Sequence, residues 1–168
     1  MPTAPVHVAV SGGGEAGEEA CRAAEEVGRQ LARRGAVVVT GGLGGAMEAA
    51  SRGAKAEGGT TVGLLPGEDR DDANPWVDVA VATGLGEGRN VVLVRTVDAV
   101  VAVAGEFGTL SEIALALRAG KPVVGLGTWE LGRDGQRVDA VVAASTPVEA
   151  AEKALALARE RRRPPTGS

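Results

Sequence analysis

Two charged side chains stand beside glycine loops in an arrangement that suits the chemistry of anions. Arg89 lies in the charged segment Gly86–Asn90, and Glu112 closes the run Gly105-Glu-Phe-Gly-Thr-Leu-Ser-Glu112. Arginine offers a planar fork of donors for a phosphate or for the hydroxyls of a sugar. A carboxylate beside such a site could stabilise positive charge that develops in a reaction, and it could orient or activate a water. The apolar run Asp98–Ala104 ends in Gly105–Gly108, which opens directly onto a helical pattern. A helix start exposes main-chain N–H groups and a partial positive charge, so a phosphate there is held by the backbone. The expected ring of donors is the N–H groups of Gly105, Gly108 and Thr109 with the Thr109 hydroxyl, flanked by Arg89 and Asn90.

Each residue also has a structural reading. Thr109-Leu-Ser-Glu112 fits a capping box, in which Glu112 would only bond back to the Thr109 N–H. Arg89 could be balanced by Glu87 in the same turn. Arg52 and Glu48, four apart on one helix, are expected to pair. His7 reads as a strand residue and Cys21 as a small half-buried one.

Two further glycine turns follow apolar runs. Ser11-Gly-Gly-Gly-Glu-Ala-Gly17 contributes Ser11 and Gly12, and Gly41-Gly-Leu-Gly-Gly-Ala-Met47 contributes Gly41, Gly42 and Gly45 as candidate phosphate-binding positions. The first turn contains a GxGxxG match. The second run, however, ends Thr40-Gly41-Gly42 without the acid that would hold a dinucleotide's ribose, which argues against NAD or FAD. Neither loop ends in Gly-Lys-Ser/Thr, so Walker A is absent. No HExxH, paired CxxC or clustered His/Asp set argues for a metal. None of Lys55, Lys121 and Lys153 stands in a pyridoxal-phosphate setting.

The elements that must position these groups follow from periodicity. Apolar runs at 6–10, 36–39, 61–65, 77–81, 99–104, 122–126 and 138–143 read as strands, mostly without alternation, as expected for strands buried on both faces. Helical patterns at 15–34, 44–57, 86–96, 109–118 and 147–162 separate most of them, and Thr146-Pro-Val-Glu149 fits a capping box with proline at the first helical position. The fold class is therefore α/β: a doubly wound, mostly parallel sheet with helices on both faces in a single domain, residues 1–162, with 163–168 as a disordered tail. Its ligand is expected beyond the carboxyl ends of the strands.

The order of these motifs from Val6 to Val124, above all Gly41-Gly-Leu-Gly-Gly-Ala-Met47 with Gly105-Glu-Phe-Gly-Thr-Leu-Ser-Glu112, resembles the LOG (Lonely guy) family. That family is a Rossmann-like group once labelled lysine decarboxylases and now associated with cleaving nucleoside 5′-monophosphates into base and ribose 5-phosphate. The resemblance implies catalytic roles for Arg89 and Glu112. Three departures stand out: Ala104 where the family carries proline, Glu106 where it carries glycine, and Asn90 where lysine follows the arginine. The Arg89-Asn90 pair and the run Leu110–Leu117 are more similar to the branch that includes molybdenum cofactor carrier proteins. Two functions follow, a phosphoribohydrolase or a non-catalytic carrier of molybdenum cofactor or a nucleotide. Neither requires a cofactor, though molybdenum cofactor is a possible bound ligand. The resemblance also implies a homodimer or homotetramer.

Composition narrows the partners. The 168 residues are 44% hydrophobic and 24% charged with a net charge of −4, enough for one core and without the basic footprint of a nucleic-acid binder. No Tyr, one Phe and two Trp leave no aromatic platform for exposed bases. No apolar run spans a bilayer and a single Cys makes no internal disulfide, so a cytoplasmic location is expected. Ring specificity is expected from the loops 68–76 and 128–137, with Trp76 or Trp129 available to stack on a ring or to pack its own loop.

Overall fold

A computed structural model describes residues 3–164. The chain runs β1 (His7–Ser11), α1 (Glu18–Arg33), β2 (Val37–Thr40), α2 (Ala46–Ala56), β3 (Thr61–Leu65), β4 (Val79–Ala82), α3 (Arg89–Thr96), β5 (Ala99–Val103), α4 (Phe107–Arg118), β6 (Val123–Leu126), β7 (Leu131–Arg133), β8 (Gln136–Val138), β9 (Val142–Ala144) and α5 (Pro147–Arg162). Among these residues seven strands form one sheet in the order β4-β3-β2-β1-β5-β6-β9, every neighbouring pair parallel. Of the expected tail, residues 165–168 lie outside the described residues.

The central strands lack alternation because both of their faces are covered. Val8, Val10, Val101 and Val103 point to the side packed by α1, α2 and α5, whereas Ala9, Val100 and Ala102 point to the side packed by α3 and α4. Each fully buried valine or leucine contributes about 1.5–3 kcal/mol. Helices α1 and α2 meet at reciprocal glycines. A Cβ on Gly28 would lie 2.0 Å from the Ala50 carbonyl oxygen, and one on Gly53 would lie 1.9 Å from that of Glu25. This close approach also corrects the expected Arg52–Glu48 pair. Arg52 instead donates from Nε and Nη2 to Glu25 Oε2 across the two helices, at 3.1 and 2.8 Å.

Two local expectations change. The segment 138–143 is not one strand: β8 ends at Val138 and β9 begins at Val142. Ahead of it, β7 and β8 form an antiparallel hairpin closed by Asp134-Gly135, both at positive φ (51° and 72°). That dipeptide is the expected chemistry of a two-residue type I′ turn, so the hairpin had a sequence signal. Thr109 does not cap α4 either, because the helix begins two residues earlier at Phe107. The chain turns sharply at Ala104 (φ 45°) and Gly105 (φ 95°), where a Cβ on Gly105 would lie 2.2 Å from Thr109 Oγ1. Thr109 is thereby buried in the first turn. At α5 the expected cap is present, with Thr146 Oγ1 accepting from the Glu149 N–H at 3.1 Å.

Candidate functional site

The strand order reverses direction between β1 and β5, the place where an open parallel sheet leaves a crevice at its carboxyl edge. A cleft of about 390 Å³ opens there. One side is the turn Gly12–Gly17 after β1, the other is the loop Ala104–Glu106 with the first turns of α4, and the floor holds Arg89, Asn90 and Glu112. The helices starting at this edge differ in how their first N–H groups are satisfied. Neither α1, beginning after Gly17, nor α4, beginning after Glu106, has a side-chain cap, whereas α5 does. Unsatisfied donors and the positive ends of two helices therefore face one space.

Arg89 is the first residue of α3, following a 3₁₀ turn at Gly86–Gly88. Its Nη1 donates to the carbonyls of Gly41 (2.7 Å) and Leu64 (2.6 Å), which anchors the guanidinium to the ends of β2 and β3. Gly41 makes room for it: a Cβ there would lie 2.4 Å from Nη1. The Nε–H is buried with no partner among the described residues, and burial holds the guanidinium below its ordinary pKa, with the Glu112 carboxylate opposing that shift. Glu87 does not balance this residue; the acidic group that acts on Arg89 is Glu112.

Glu112, 9% exposed, does not bond to Thr109 but accepts a hydrogen bond at Oε2 from the hydroxyl of Ser11, the last residue of β1. Burial pushes its carboxyl up to about 7, against the pull of Arg89. The group is thus divided between acid and carboxylate near neutral pH. Beside it Asn90, 7% exposed, has an Oδ1 with no partner among the described residues. Ser11 from β1 and the neighbours Arg89 and Asn90 from α3 meet Glu112 of α4 only through the fold.

Gly12, Gly105, Gly108 and Thr109 line the same cleft. Gly41, Gly42 and Gly45 lie outside the lining. The Gly41 carbonyl holds Arg89, the Gly42 carbonyl accepts from Asn74 (N–H at 2.9 Å, Nδ2 at 3.2 Å), and Gly45 is the residue before α2. Glu106 sits exposed at the mouth, where water screens it, and Glu15 is likewise exposed on the opposite side. The lining also includes Met47, which closes the Gly41–Met47 motif, and Ala20, an ordinary helix residue that no motif marked.

The loop before α4 is braced from β6. Thr128 Oγ1 donates to the Ala104 carbonyl (2.6 Å), Trp129 Nε1 donates to the Glu106 carbonyl (3.2 Å), and the Phe107 and Trp129 rings lie 5.5 Å apart. Trp129 therefore packs a neighbouring loop. The positive φ of Ala104, together with its N–H donating to the Leu126 carbonyl at 3.0 Å, is a geometry no proline can adopt. The departure from the LOG pattern at this position is a different loop conformation. Among the described residues no group of His, Cys, Asp and Glu could hold a metal ion, and no helix is long and apolar enough to cross a membrane.

Comparison with known proteins adds to this geometry. The SLOG cluster4 family matches over residues 5–157. An uncharacterized protein of Archaeoglobus fulgidus is 46% identical over 121 residues, 72% of this chain and 80% of that protein. The molybdenum cofactor binding protein of Rippkaea orientalis superposes with a TM-score of 0.82 at 34% identity, covering 93% of this chain and 99% of that one. The molybdenum cofactor carrier protein of Chlamydomonas reinhardtii gives 0.82 at 35% identity, covering 92% and 98%.

Proposed function

This chain belongs to the SLOG cluster4 family, and from that premise we propose that it binds a phosphate-bearing small molecule, a nucleotide or the molybdenum cofactor, and holds it without turnover. The observation that carries the reading is the pair of uncapped helix starts, α1 and α4, facing one cleft whose lining also includes Arg89. The phosphate would sit on the N–H groups of Gly108 and Thr109. Arg89, fixed by two carbonyls, would meet it with a pre-oriented guanidinium. Molybdenum cofactor fits these donors through its terminal phosphate, and the likeness to carrier and binding proteins of that cofactor supports it as cargo. The carboxylates of Glu15 and Glu106 face the cleft as well, so affinity should rest on directed hydrogen bonds more than on net charge.

One observation favours a second reading, a nucleoside 5′-monophosphate phosphoribohydrolase. A carboxyl poised near 7 and held by Ser11 has the protonation range of a general acid or base. Incubating the protein with a panel of nucleoside 5′-monophosphates and separating the products by chromatography tests it, alongside calorimetric binding of the same compounds. The carrier reading expects binding with no free base. Base release that Glu112→Gln abolishes would replace it with the hydrolase.

A further inference from the structure

The cleft described above does not end at α1. Gly17, Ala20 and Ala104 line it and also line a second cleft of about 700 Å³, which lies over the ends of β5, β6 and β9 between the first turns of α1 and α5. The two together form one trough along the carboxyl edge of the sheet, and their walls differ in kind. The first has the glycine loops, Arg89, Asn90 and Glu112. The second is walled by Ala23, Val103, Leu126, Ala144 and Pro147, with the exposed Glu18, Glu19 and Ser145 at its rim.

The second cleft is unsuited to another anion. The start of α5 is already occupied: Thr146 Oγ1 takes the Glu149 N–H and Glu149 Oε2 takes the Ser145 N–H. Glu18 and Glu19 add negative charge at the mouth, which repels a phosphate. Its half-buried apolar side chains favour a flat, uncharged group that displaces water from them. Size points the same way, since sites for drug-sized and cofactor-sized ligands run to about 300–1,000 Å³ and the first cleft alone sits at the small end, suited to a sugar phosphate.

We propose that the second cleft receives the ring of the bound ligand, an uncharged bicyclic nitrogen heterocycle of the purine or pterin type, while its phosphate lies in the first. This rests on the reading that the first cleft binds phosphate. Ala20 and Ala104 form the passage between the two, and their small side chains keep it open. A dinucleotide that placed a second phosphate in the apolar cleft is disfavoured.

The test is calorimetry with three probes: ribose 5-phosphate, guanosine 5′-monophosphate and a pterin phosphate ester. Both ring-bearing probes, or the one whose ring matches, should bind at least about tenfold more tightly than ribose 5-phosphate, because the ring buries apolar surface. Ser145→Trp, at the exposed rim, and Ala23→Phe, inside, should each reduce that margin to less than about threefold while leaving ribose 5-phosphate affinity unchanged. The rim variant preserves the test if the inner one fails to fold. A margin that survives in Ser145→Trp, or no margin in the unaltered protein, overturns the proposal. If ribose 5-phosphate and both ring-bearing probes all fail to bind, the phosphate reading itself falls and takes this proposal with it.

Discussion

At the scale of single residues, Glu112 is where burial and chemistry conflict. A carboxyl at about 7 in the folded protein, against an ordinary 4.5, means the folded chain holds this proton more tightly than the unfolded chain between those values. Stability therefore falls as pH rises through that window, is unaffected by this group below it, and levels off above it. Arg89 faces the carboxyl from α3, Ser11 from β1, and Glu15 and Glu106 lie across the cleft. Glu112→Gln should remove this dependence, so that in urea denaturation the variant gains on the unaltered protein by up to roughly 3 kcal/mol between pH 5 and pH 8. Parallel pH profiles for the two proteins would refute the assignment. The same residue shows what a local pattern misses. Thr109-Leu-Ser-Glu112 reads as a capping box, but α4 starts at Phe107 and Glu112 is spent on Ser11 instead.

At the scale of elements, the pair α1 and α2 positions two of the three glycine turns. Their reciprocal glycine contacts, Gly28 on Ala50 and Gly53 on Glu25, bring the two axes close, and the turns that lead into these helices inherit that spacing. Gly28→Ala should destabilise the protein by about 1–3 kcal/mol through overpacking, even though alanine favours helix. Thermal unfolding checks this, and a stabilised variant would show that the helices can part without cost. Helix Pro147–Arg162 and its Thr146 cap were legible in the sequence because their chemistry is local. The Asp134-Gly135 hairpin is equally local, but its strands are only three residues each and mostly exposed, so no apolar run marks them.

At the scale of the whole molecule, Leu85, Val91 and Val92 are exposed on or just before α3, and Val79 and Val81 are exposed on the edge strand β4. We propose that a second copy covers this region, in keeping with the homodimer or homotetramer implied by the resemblance. Light scattering should give at least twice the monomer mass, and Val91→Glu should shift it toward monomer; a monomeric unaltered protein would end the proposal. What the sequence determined by itself was the alternation of apolar runs and helices, hence a parallel sheet covered on both faces, and the glycine turns at its carboxyl edge. Those features arise from contacts between residues near in the chain, or from burial that selects residue types over several positions. Only the tertiary structure decided that Arg89, Asn90 and Glu112 share one cleft, that the buried Ser11 bonds Glu112, that Gly41 serves as a seat for Arg89, and that Ala20 and Ala104 join that cleft to an apolar one. These are meetings between elements far apart in the chain, set by strand order and helix approach, and no spacing along the sequence encodes a distance across the sheet.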